Sequence, residues 1–203
     1  AELLDLAHPG PVGAGVITLK RLSDALADND RIWAVIRGSV VNQDGESTLL
    51  AAPNGQAQAA LIRDAVATSQ IALDDLAYIE THGTGTELGD PIEVGALAET
   101  VGGPAPGRPD CLLGAVKANI GHTGSAAALA AVVKTNLCLY HEIIPPLTNF
   151  RVPENSLWHR HNFHIPIYPQ FWVRNRQDGP RKALVGAMTP DGNCMHIILE
   201  GFD

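Results

Sequence analysis

The sequence has few of the features that mark a secreted or membrane-spanning protein. It contains three cysteines in 203 residues and no CxxC pair, which fits a reducing compartment better than a disulfide framework. No charged region, apolar stretch and cleavage site follow one another at the N-terminus, so we expect a cytoplasmic protein. The longest apolar stretch, residues 125–133, is far shorter than the ~20 residues that a bilayer requires, so we expect no membrane span.

Positive charge is also scarce. The chain has 14 Lys and Arg against 22 Asp and Glu, a formal net charge of -8, which argues against nucleic acid or an anionic membrane surface as the main partner. With 45% apolar and 18% charged residues, the composition is that of a globular protein with a real core. Because single cores stop growing near ~250 residues, the length fits one domain or half of a large one. Small molecules and proteins remain as partners.

Apolar segments rich in β-branched residues alternate with segments of helical periodicity, which predicts an α/β fold with a mixed sheet. The predicted strands are residues 13–22, 32–41, 77–81, 112–116, 171–174, 183–187 and 195–200. The predicted helices are a short turn at about 23–28, a helix that includes 57–66, and helices at about 90–101 and 124–141. The last of these is apolar almost all round, so it should be buried on most faces.

Residues that favour helix starts precede three of these helices. Ser23 and Asn54 are expected to be the N-caps of the first two helices. Asp90 is expected to cap the third, with Pro91 at its first position and Glu93 at its third.

Two loops carry the residues most suited to chemistry. Residues 81–90 (THGTGTELGD) and 117–122 (KANIGH) each follow a short apolar strand and precede a helix. In open α/β sheets ligands bind beyond the carboxyl ends of the strands, so both loops can face one pocket. His82 and His122 are either structural histidines or two N–H donors that converge on one carbonyl oxygen. In the second case they would stabilise the negative charge that develops in acyl transfer or enolate formation.

Other polar residues of the chain allow more than one interpretation. The hydroxyls of Thr84 and Thr86 either cap the loop backbone or bind the amides of an extended substrate. A nucleotide-binding loop is disfavoured, because the glycines have GxGxxxG spacing and Asp90 would repel a phosphate at the helix start. A third group, His159, His161 and His164, lies in an irregular Pro-bounded stretch with no Cys and no HExxH helix, so we expect no metal site.

None of the three cysteines has the setting of a nucleophile. Cys138 lies in the middle of a predicted helix and Cys111 enters a strand, whereas Cys194 lies in a loop after a glycine. A reactive thiol needs an exposed, electropositive environment, so a structural role is favoured for all three.

Long motifs in the chain resemble one family of enzymes. HGTGTELGDPIE at 82–93, VKANIGHTGSAAALAAVVK at 116–134 and PNG at 53–55 are similar to the β-ketoacyl synthase domains of polyketide and fatty-acid synthases. The resemblance implies a thiolase-like fold, a layered αβαβα arrangement of two similar halves. Within it, residues 1–41 would be the last strands of the N-terminal half and residues 42–203 the C-terminal half.

The resemblance also implies a reaction, a decarboxylative Claisen condensation between a Cys-bound acyl group and malonyl on an acyl carrier protein. His82, His122 and Lys117 match catalytic positions of the family. Thr84 and Thr86 match the residues that hold the phosphopantetheine arm, and we add Asn119 and Pro190 to this substrate-binding group. No covalently bound cofactor is implied, because the phosphopantetheine arm serves as the substrate carrier.

Departures from the family pattern restrict this expectation. The family's nucleophilic Cys belongs to the N-terminal half, so we expect the present chain to be inactive alone and to act with that half, in a dimer of the full domain. The family's SSFGFGGTNAH is here GAMTPDGNCMH at 186–196, so Met188 and Pro190 replace the phenylalanines and Cys194 replaces the Asn. Pro190 should stiffen this gating loop. A non-elongating, chain-length-factor-like partner that binds acyl carrier protein is therefore the alternative function.

Overall fold

The computed structural model describes residues 13–45, 52–102, 110–148, 150 and 162–202. Its strands are β1 (Val35–Gln43), β2 (Leu76–Glu80), β3 (Cys111–Gly114), β4 (Ile143–Ile144), β5 (Phe163–His164), β6 (Gln170–Phe171), β7 (Lys182–Met188) and β8 (Asn193–Glu200). Its helices are α1 (Leu22–Ala27), α2 (Gly55–Ser69), α3 (Gly89–Thr100), α4 (Lys117–Ile120) and α5 (Ala127–His141). Strands and helices alternate through most of the described chain, so the predicted α/β class is confirmed.

Six of the described strands form one sheet in the order β1-β8-β7-β2-β3-β5. Strands β7, β2, β3 and β5 are parallel to their neighbours within this group, whereas β8 is antiparallel to both β7 and β1. The predicted mixed sheet is therefore confirmed. Strands β4 and β6 form a separate antiparallel pair. Because β2 and β3 are adjacent and parallel, the two loops singled out in the sequence emerge at the same edge of the sheet.

Helices cover both faces of the sheet. Consecutive residues of a strand point to opposite faces, so Ile79 packs with residues of α2 and α3, whereas Tyr78 packs with residues of α5. The same alternation separates Leu184 from Val185 in β7. Strands that are buried on both faces have nearly continuous apolar sequences, which is why β2 and β7 could be recognised from the sequence.

The strand predicted at residues 13–22 is wrong. Residues 13–21 have no regular secondary structure and do not join the sheet, and Val16 is 90% exposed. The segment instead passes close to the start of α5, where a Cβ on Gly15 would lie 2.8 Å from Leu129 Cδ2. A β-branched sequence forms a strand only beside another strand that can pair with its backbone, and this segment has no such neighbour among the described residues.

Of the three predicted N-cap residues, one caps its helix in the structure. Asn54 is the N-cap of α2, and its Oδ1 accepts hydrogen bonds from the N–H groups of Gln56 and Ala57. The Ser23 prediction is wrong, because α1 begins at Leu22 without a side-chain cap. The Asp90 prediction is also wrong: α3 begins at Gly89, and Asp90 Oδ1 accepts the N–H of Gly85 at 3.1 Å. The loop before α3 folds back tightly, so its own N–H groups compete for this carboxylate.

Helix α5 agrees with the prediction in extent but not in its burial. A 3₁₀ turn at Gly124–Ala126 precedes it, and its inner face packs against the sheet. Its outer face, with Val133, Leu137 and Tyr140 at helical spacing, is 37–42% exposed. The expectation that α5 is buried on most faces is therefore met only on the side that faces the sheet. None of the helices in the described residues combines the length and apolarity that spanning a bilayer requires.

Gly114, at the end of β3, is predicted to be intolerant of any side chain. A Cβ there would lie 2.1 Å from the hydroxyl of Tyr78, which is fully buried and cannot move aside. Overpacking of this kind costs ~1–3 kcal/mol, so we expect Gly114→Ala to lower the free energy of unfolding by about 2 kcal/mol in urea titrations. Gly95, inside α3, has no atom within 4 Å of its Cβ position and provides the matched control. Gly95→Ala should raise stability by about 0.5–1 kcal/mol, and equal effects of the two substitutions would contradict the prediction.

Candidate active site

The loops that follow β2 and β3 bring the two predicted histidines together. His82 lies two residues after β2, and His122 follows the short helix α4. Their ring centroids are 5.8 Å apart and the rings are nearly perpendicular, at 83°. The expectation that both loops face one site agrees with this geometry.

Hydrogen bonds determine which nitrogen of His82 carries the proton. The backbone N–H of Met188 donates to His82 Nδ1 at 3.2 Å, so Nδ1 must be an acceptor. The Lys117 ammonium lies 3.3 Å from the same nitrogen and also donates to the His82 carbonyl oxygen at 2.5 Å. The neutral ring therefore carries its proton on Nε2 and presents that N–H away from Met188.

His122 reaches the same tautomer through a different contact. The backbone N–H of Gly124 donates to His122 Nδ1 at 3.1 Å, which again leaves the proton on Nε2. Gly124 has φ of +59°, in the left-handed region that favours glycine, so the turn that makes this contact suits this residue. Both imidazoles are thus Nε2–H donors.

The site also keeps both rings neutral. Burial, the charge of Lys117 and the neighbouring His122 lower the pKa of His82 to about 3. Burial and the Lys117 charge likewise lower the pKa of His122. Each neutral imidazole keeps one N–H at pH 7, and that N–H can donate a hydrogen bond to a developing negative charge.

Lys117 is buried at the start of α4, and it contacts His82 as described above. Burial lowers the pKa of Lys117, whereas the charges of Glu93, Glu80 and Asp90 oppose this shift. In this arrangement the ammonium group fixes both the backbone and the ring of His82.

Glu93 holds the His82 loop from the opposite side. Its carboxylate accepts the N–H of His82 at 2.7 Å and the N–H of Gly83 at 3.0 Å, and the residue is only 7% exposed. Burial raises the pKa of Glu93, and the two backbone N–H groups oppose that shift. The sequence placed Glu93 at the third position of the helix but did not predict that its carboxylate binds the loop.

Glu80 was not identified from the sequence, although it connects the two loops. It is fully buried in β2, and its carboxylate accepts bonds from the Tyr78 hydroxyl, the Val116 N–H and the Lys134 ammonium, at 2.5, 2.5 and 2.8 Å. Val116 directly precedes Lys117, so one carboxylate ties the end of β2 to the start of the second loop. Glu80 could have been identified in the sequence as a single acidic residue inside an otherwise apolar strand.

The remaining predicted substrate residues lie around the loops with different exposure. Thr86 is exposed and its Oγ1 accepts the N–H of Gly89 at 3.0 Å, which is the capping contact considered above. Thr84 is half-buried, with its hydroxyl 3.3 Å from that of Thr86, and Asn119 is exposed on α4.

Pro190 is exposed at the tip of the hairpin between β7 and β8. The turn closes through the Gly192 N–H, which donates to the Thr189 carbonyl at 3.0 Å, and Gly192 has a φ of +84°. The Gln43 side chain also donates to the Asp191 carbonyl at 2.9 Å, which attaches the turn to the end of β1. These bonds agree with a stiff loop, and the gating behaviour stays a prediction.

The cysteines and the third histidine group show no reactive arrangement. All three cysteines are buried. Burial raises the pKa of Cys138 to about 11, and burial together with a hydrogen bond to Asp44 raises the pKa of Cys194 to about 12.

His164 lies exposed in β5, whereas His159 and His161 lie outside the described residues. In the part of the chain that the structure describes, no three His, Cys, Asp or Glu side chains form a cluster that could hold a metal.

His196, buried in β8 beside the His82 loop, is predicted to make stability depend on pH. Burial lowers the pKa of His196 to about 4. Between pH 6.5 and pH 4 the unfolded state binds more protons than the folded state, so stability falls as the pH falls. We expect wild type to lose about 2 kcal/mol more than His196→Gln between pH 7 and pH 5 in urea titrations. The exposed His141→Gln variant is the control, and parallel losses in all three proteins would refute the prediction.

Comparison with known proteins places this geometry in context. A family model described as the C-terminal domain of β-ketoacyl synthase matches residues 33–151. The chain is 44% identical over 194 residues to a phenolphthiocerol/phthiocerol polyketide synthase of Mycobacterium tuberculosis, a match that covers 93% of the chain and 12% of that protein. It is 40% identical to the polyketide synthase PksL of Bacillus subtilis, over 94% of the chain and 4% of that protein.

Solved structures give the same result. The ketosynthase from module 6 of the bacillaene synthase of Bacillus subtilis matches with a TM-score of 0.83 and 37% identity, over 91% of the chain and 33% of that structure. An oxazolomycin ketosynthase domain of Streptomyces albus matches with a TM-score of 0.84 and 36% identity, with the same coverage. The chain therefore spans about a third of these ketosynthases and an eighth or less of the curated relatives.

Proposed function

We propose that the chain, which belongs to the β-ketoacyl synthase family, supplies the two imidazole donors for condensation in polyketide chain elongation. The part of that family that it matches is the C-terminal domain. Its fold is thiolase-like, and its relatives are polyketide synthases and their ketosynthase domains. The observation that carries the proposal is the pair of neutral imidazoles, both with the proton on Nε2, on adjacent loops.

The proposed step uses these donors when negative charge develops. A malonyl thioester, carried on the phosphopantetheine arm of an acyl carrier protein, loses carbon dioxide, and the electron pair of the broken C–C bond becomes an enolate. The Nε2–H groups of His82 and His122 stabilise the enolate oxygen. The enolate carbon then attacks the acyl thioester on a Cys, and the Cys sulfur leaves as thiolate. Both imidazoles keep their protons throughout this step.

Lys117 and Glu93 have positioning roles in this proposal. The ammonium group of Lys117 contacts the ring and the carbonyl of His82, and Glu93 binds the N–H groups of His82 and Gly83. Preorganised donors stabilise charge better than mobile ones, because they need no reorientation when the charge appears. Loss of either side chain should therefore act through the orientation of His82.

The phosphopantetheine arm is proposed to pass along the accessible polar residues of the two loops. The Thr84 and Thr86 hydroxyls and the Asn119 amide are partly or fully exposed, so they can bond to the amide groups of the arm. The turn that contains Pro190 would border the entrance. Its attachment to β1 favours a gate that moves little between the empty and acylated states.

The nucleophilic Cys is proposed to come from an N-terminal ketosynthase half. The cysteines in this chain are buried, and raised pKa values disfavour the thiolate of Cys138 and Cys194. The exposed outer face of α5 offers an apolar surface for that half. We further propose a dimer of the full domain, located in the cytoplasm.

A second candidate function is a non-elongating partner, similar to a chain-length factor, that binds acyl carrier protein without condensing. The loop at residues 186–196 favours this function, because Met188 and Pro190 occupy positions at which β-ketoacyl synthases have phenylalanines. Met188 nevertheless contacts the site, because its backbone N–H donates to His82 Nδ1.

The two functions are separated by product formation. The segment would be assayed with a ketosynthase half that carries the Cys, after that Cys has been loaded with an acyl group and malonyl-acyl carrier protein has been added. The elongation proposal predicts carbon dioxide release and a β-ketoacyl-carrier-protein product by mass spectrometry. Binding of the acyl carrier protein without product would support the second function, and neither binding nor product would contradict both.

A further inference from the structure

A small cavity lies behind the His82 loop, between α2, α3 and the strands β7 and β8. Gln58, Glu93, Gly186 and His196 contribute to its lining. The room inside it is about 10 Å³, which is close to what one water molecule occupies and far below the ~300–1,000 Å³ of sites that hold small organic ligands. The size and the polar residues of its wall fit water instead of a metabolite.

Two buried polar atoms on residues of this wall have no hydrogen-bond partner among the described residues. They are Gln58 Nε2 and His196 Nδ1, on side chains that are 2% and 7% exposed. A buried polar atom without a partner carries a substantial free-energy penalty, and most such atoms in native proteins bond to protein or to ordered water.

Gly186, which has no side chain, borders the space between His196 and Glu93. An atom at its Cβ position would lie 3.0 Å from His196 Cε1, 3.5 Å from His196 Nδ1 and 3.7 Å from Glu93 Oε1. A small polar group near this point can therefore bond to both. The backbone of Gly186 has no positive φ, so its conformation alone does not require glycine.

We propose that a buried water molecule bridges Gln58, Glu93 and His196 in this cavity. It accepts the Gln58 Nε2–H and donates its two hydrogens to Glu93 Oε1 and His196 Nδ1. Three hydrogen bonds are typical of a buried water. Burial keeps the pKa of His196 near 4, so at pH 7 its ring is neutral and can leave Nδ1 free to accept.

The water gives Gln58 and His196 a role in the site although neither contacts a substrate. Glu93 Oε1 also accepts the N–H of His82, so the water, Glu93 and the His82 backbone form one connected network. Gln58 and His196 are then positioning residues that hold the Glu93 carboxylate in place. This consequence for catalysis rests on the proposed function, whereas the water itself does not.

The first test is a high-resolution crystal structure of the protein. It should resolve a water within hydrogen-bond distance of Glu93 Oε1, His196 Nδ1 and Gln58 Nε2. No water in contact with both Glu93 and His196, or a direct bond from Gln58 to Glu93, would overturn the proposal. This result does not depend on whether the protein condenses anything, so failure of the proposed function and failure of the water are distinguished.

The second test compares Gly186→Ala with Gly186→Ser in the protein combined with its Cys-bearing half. The methyl group of Ala should displace the water without replacing its bonds, and we expect kcat for condensation to fall about tenfold with acyl loading and KM unchanged. The Ser hydroxyl should replace the hydrogen bonds of the water, and because Ala and Ser approach His196 Cε1 equally closely, Ser should keep a clearly higher kcat than Ala. Equal kcat values for Ala and wild type, or equal losses for Ala and Ser, would contradict the positioning role.

Discussion

Replacing His82 or His122 with Ala is expected to lower the rate of condensation by ~10²-fold or more, because the removal of one oxyanion donor typically has an effect of this size. Each substitution removes one of the two Nε2–H groups that would face the enolate oxygen. Acyl transfer to the Cys of the N-terminal half should persist, because that step does not involve the enolate. The variants should therefore accumulate as acylated protein.

The measurement is intact-protein mass spectrometry of the loaded Cys together with the rate of β-ketoacyl product formation. Exposed His141→Ala is the matched control and should behave as wild type in both assays. Condensation at the wild-type rate in either site variant would remove that histidine from the proposed mechanism. Loss of acyl loading in both variants would point to a structural defect and would contradict the expected separation of steps.

Lys134→Met is expected to lower the free energy of unfolding by about 3–5 kcal/mol, because it leaves a buried carboxylate without its charged partner. The Lys134 ammonium lies 2.8 Å from the carboxylate of Glu80, whose side chain has no exposure. The Tyr78 hydroxyl and the Val116 N–H would remain as partners, but neither carries a positive charge. The change is read from urea titrations of wild type and variant.

A double variant separates the buried charge from simple loss of packing. Glu80→Gln combined with Lys134→Met removes both charges and should recover a substantial part of the lost stability. Arg63 and Glu99 form an exposed ion pair on α2 and α3, so Arg63→Met should change stability by less than about 1 kcal/mol. An effect of Lys134→Met as small as that of Arg63→Met would contradict the free-energy cost assigned here to the unpaired Glu80 carboxylate.

The sequence predicted those parts of the fold that depend on local signals. Asn54 precedes an amphipathic segment and caps α2 as expected, and the apolar segments that became β2 and β7 were located within one or two residues. The segment at 13–21 has an equally good local pattern, yet it lies outside the sheet. Strand formation there depends on a pairing partner, and a local pattern contains no information about one.

The sequence placed the loops of the two candidate histidines beside each other, but it did not predict the contacts that support them. His82 and His122 stood out because each follows a strand and lies beside a glycine. Glu80 and Glu93 were not recognised as supports, because their partners are backbone N–H groups from other segments of the chain. Likewise, the tautomer of His82 depends on the N–H of Met188, which is 106 residues away in the sequence.

The protonation of the two imidazoles can be observed directly. Nitrogen-15 NMR of histidine-labelled protein, with the His82 and His122 signals assigned by substitution, reports which ring nitrogen carries the proton. We predict Nε2–H and a bare Nδ1 for both rings at pH 7, with His82 remaining neutral down to pH 5 because its pKa is about 3. An imidazolium ring at pH 7, or a proton on Nδ1 of either residue, would contradict the account of two preorganised neutral donors.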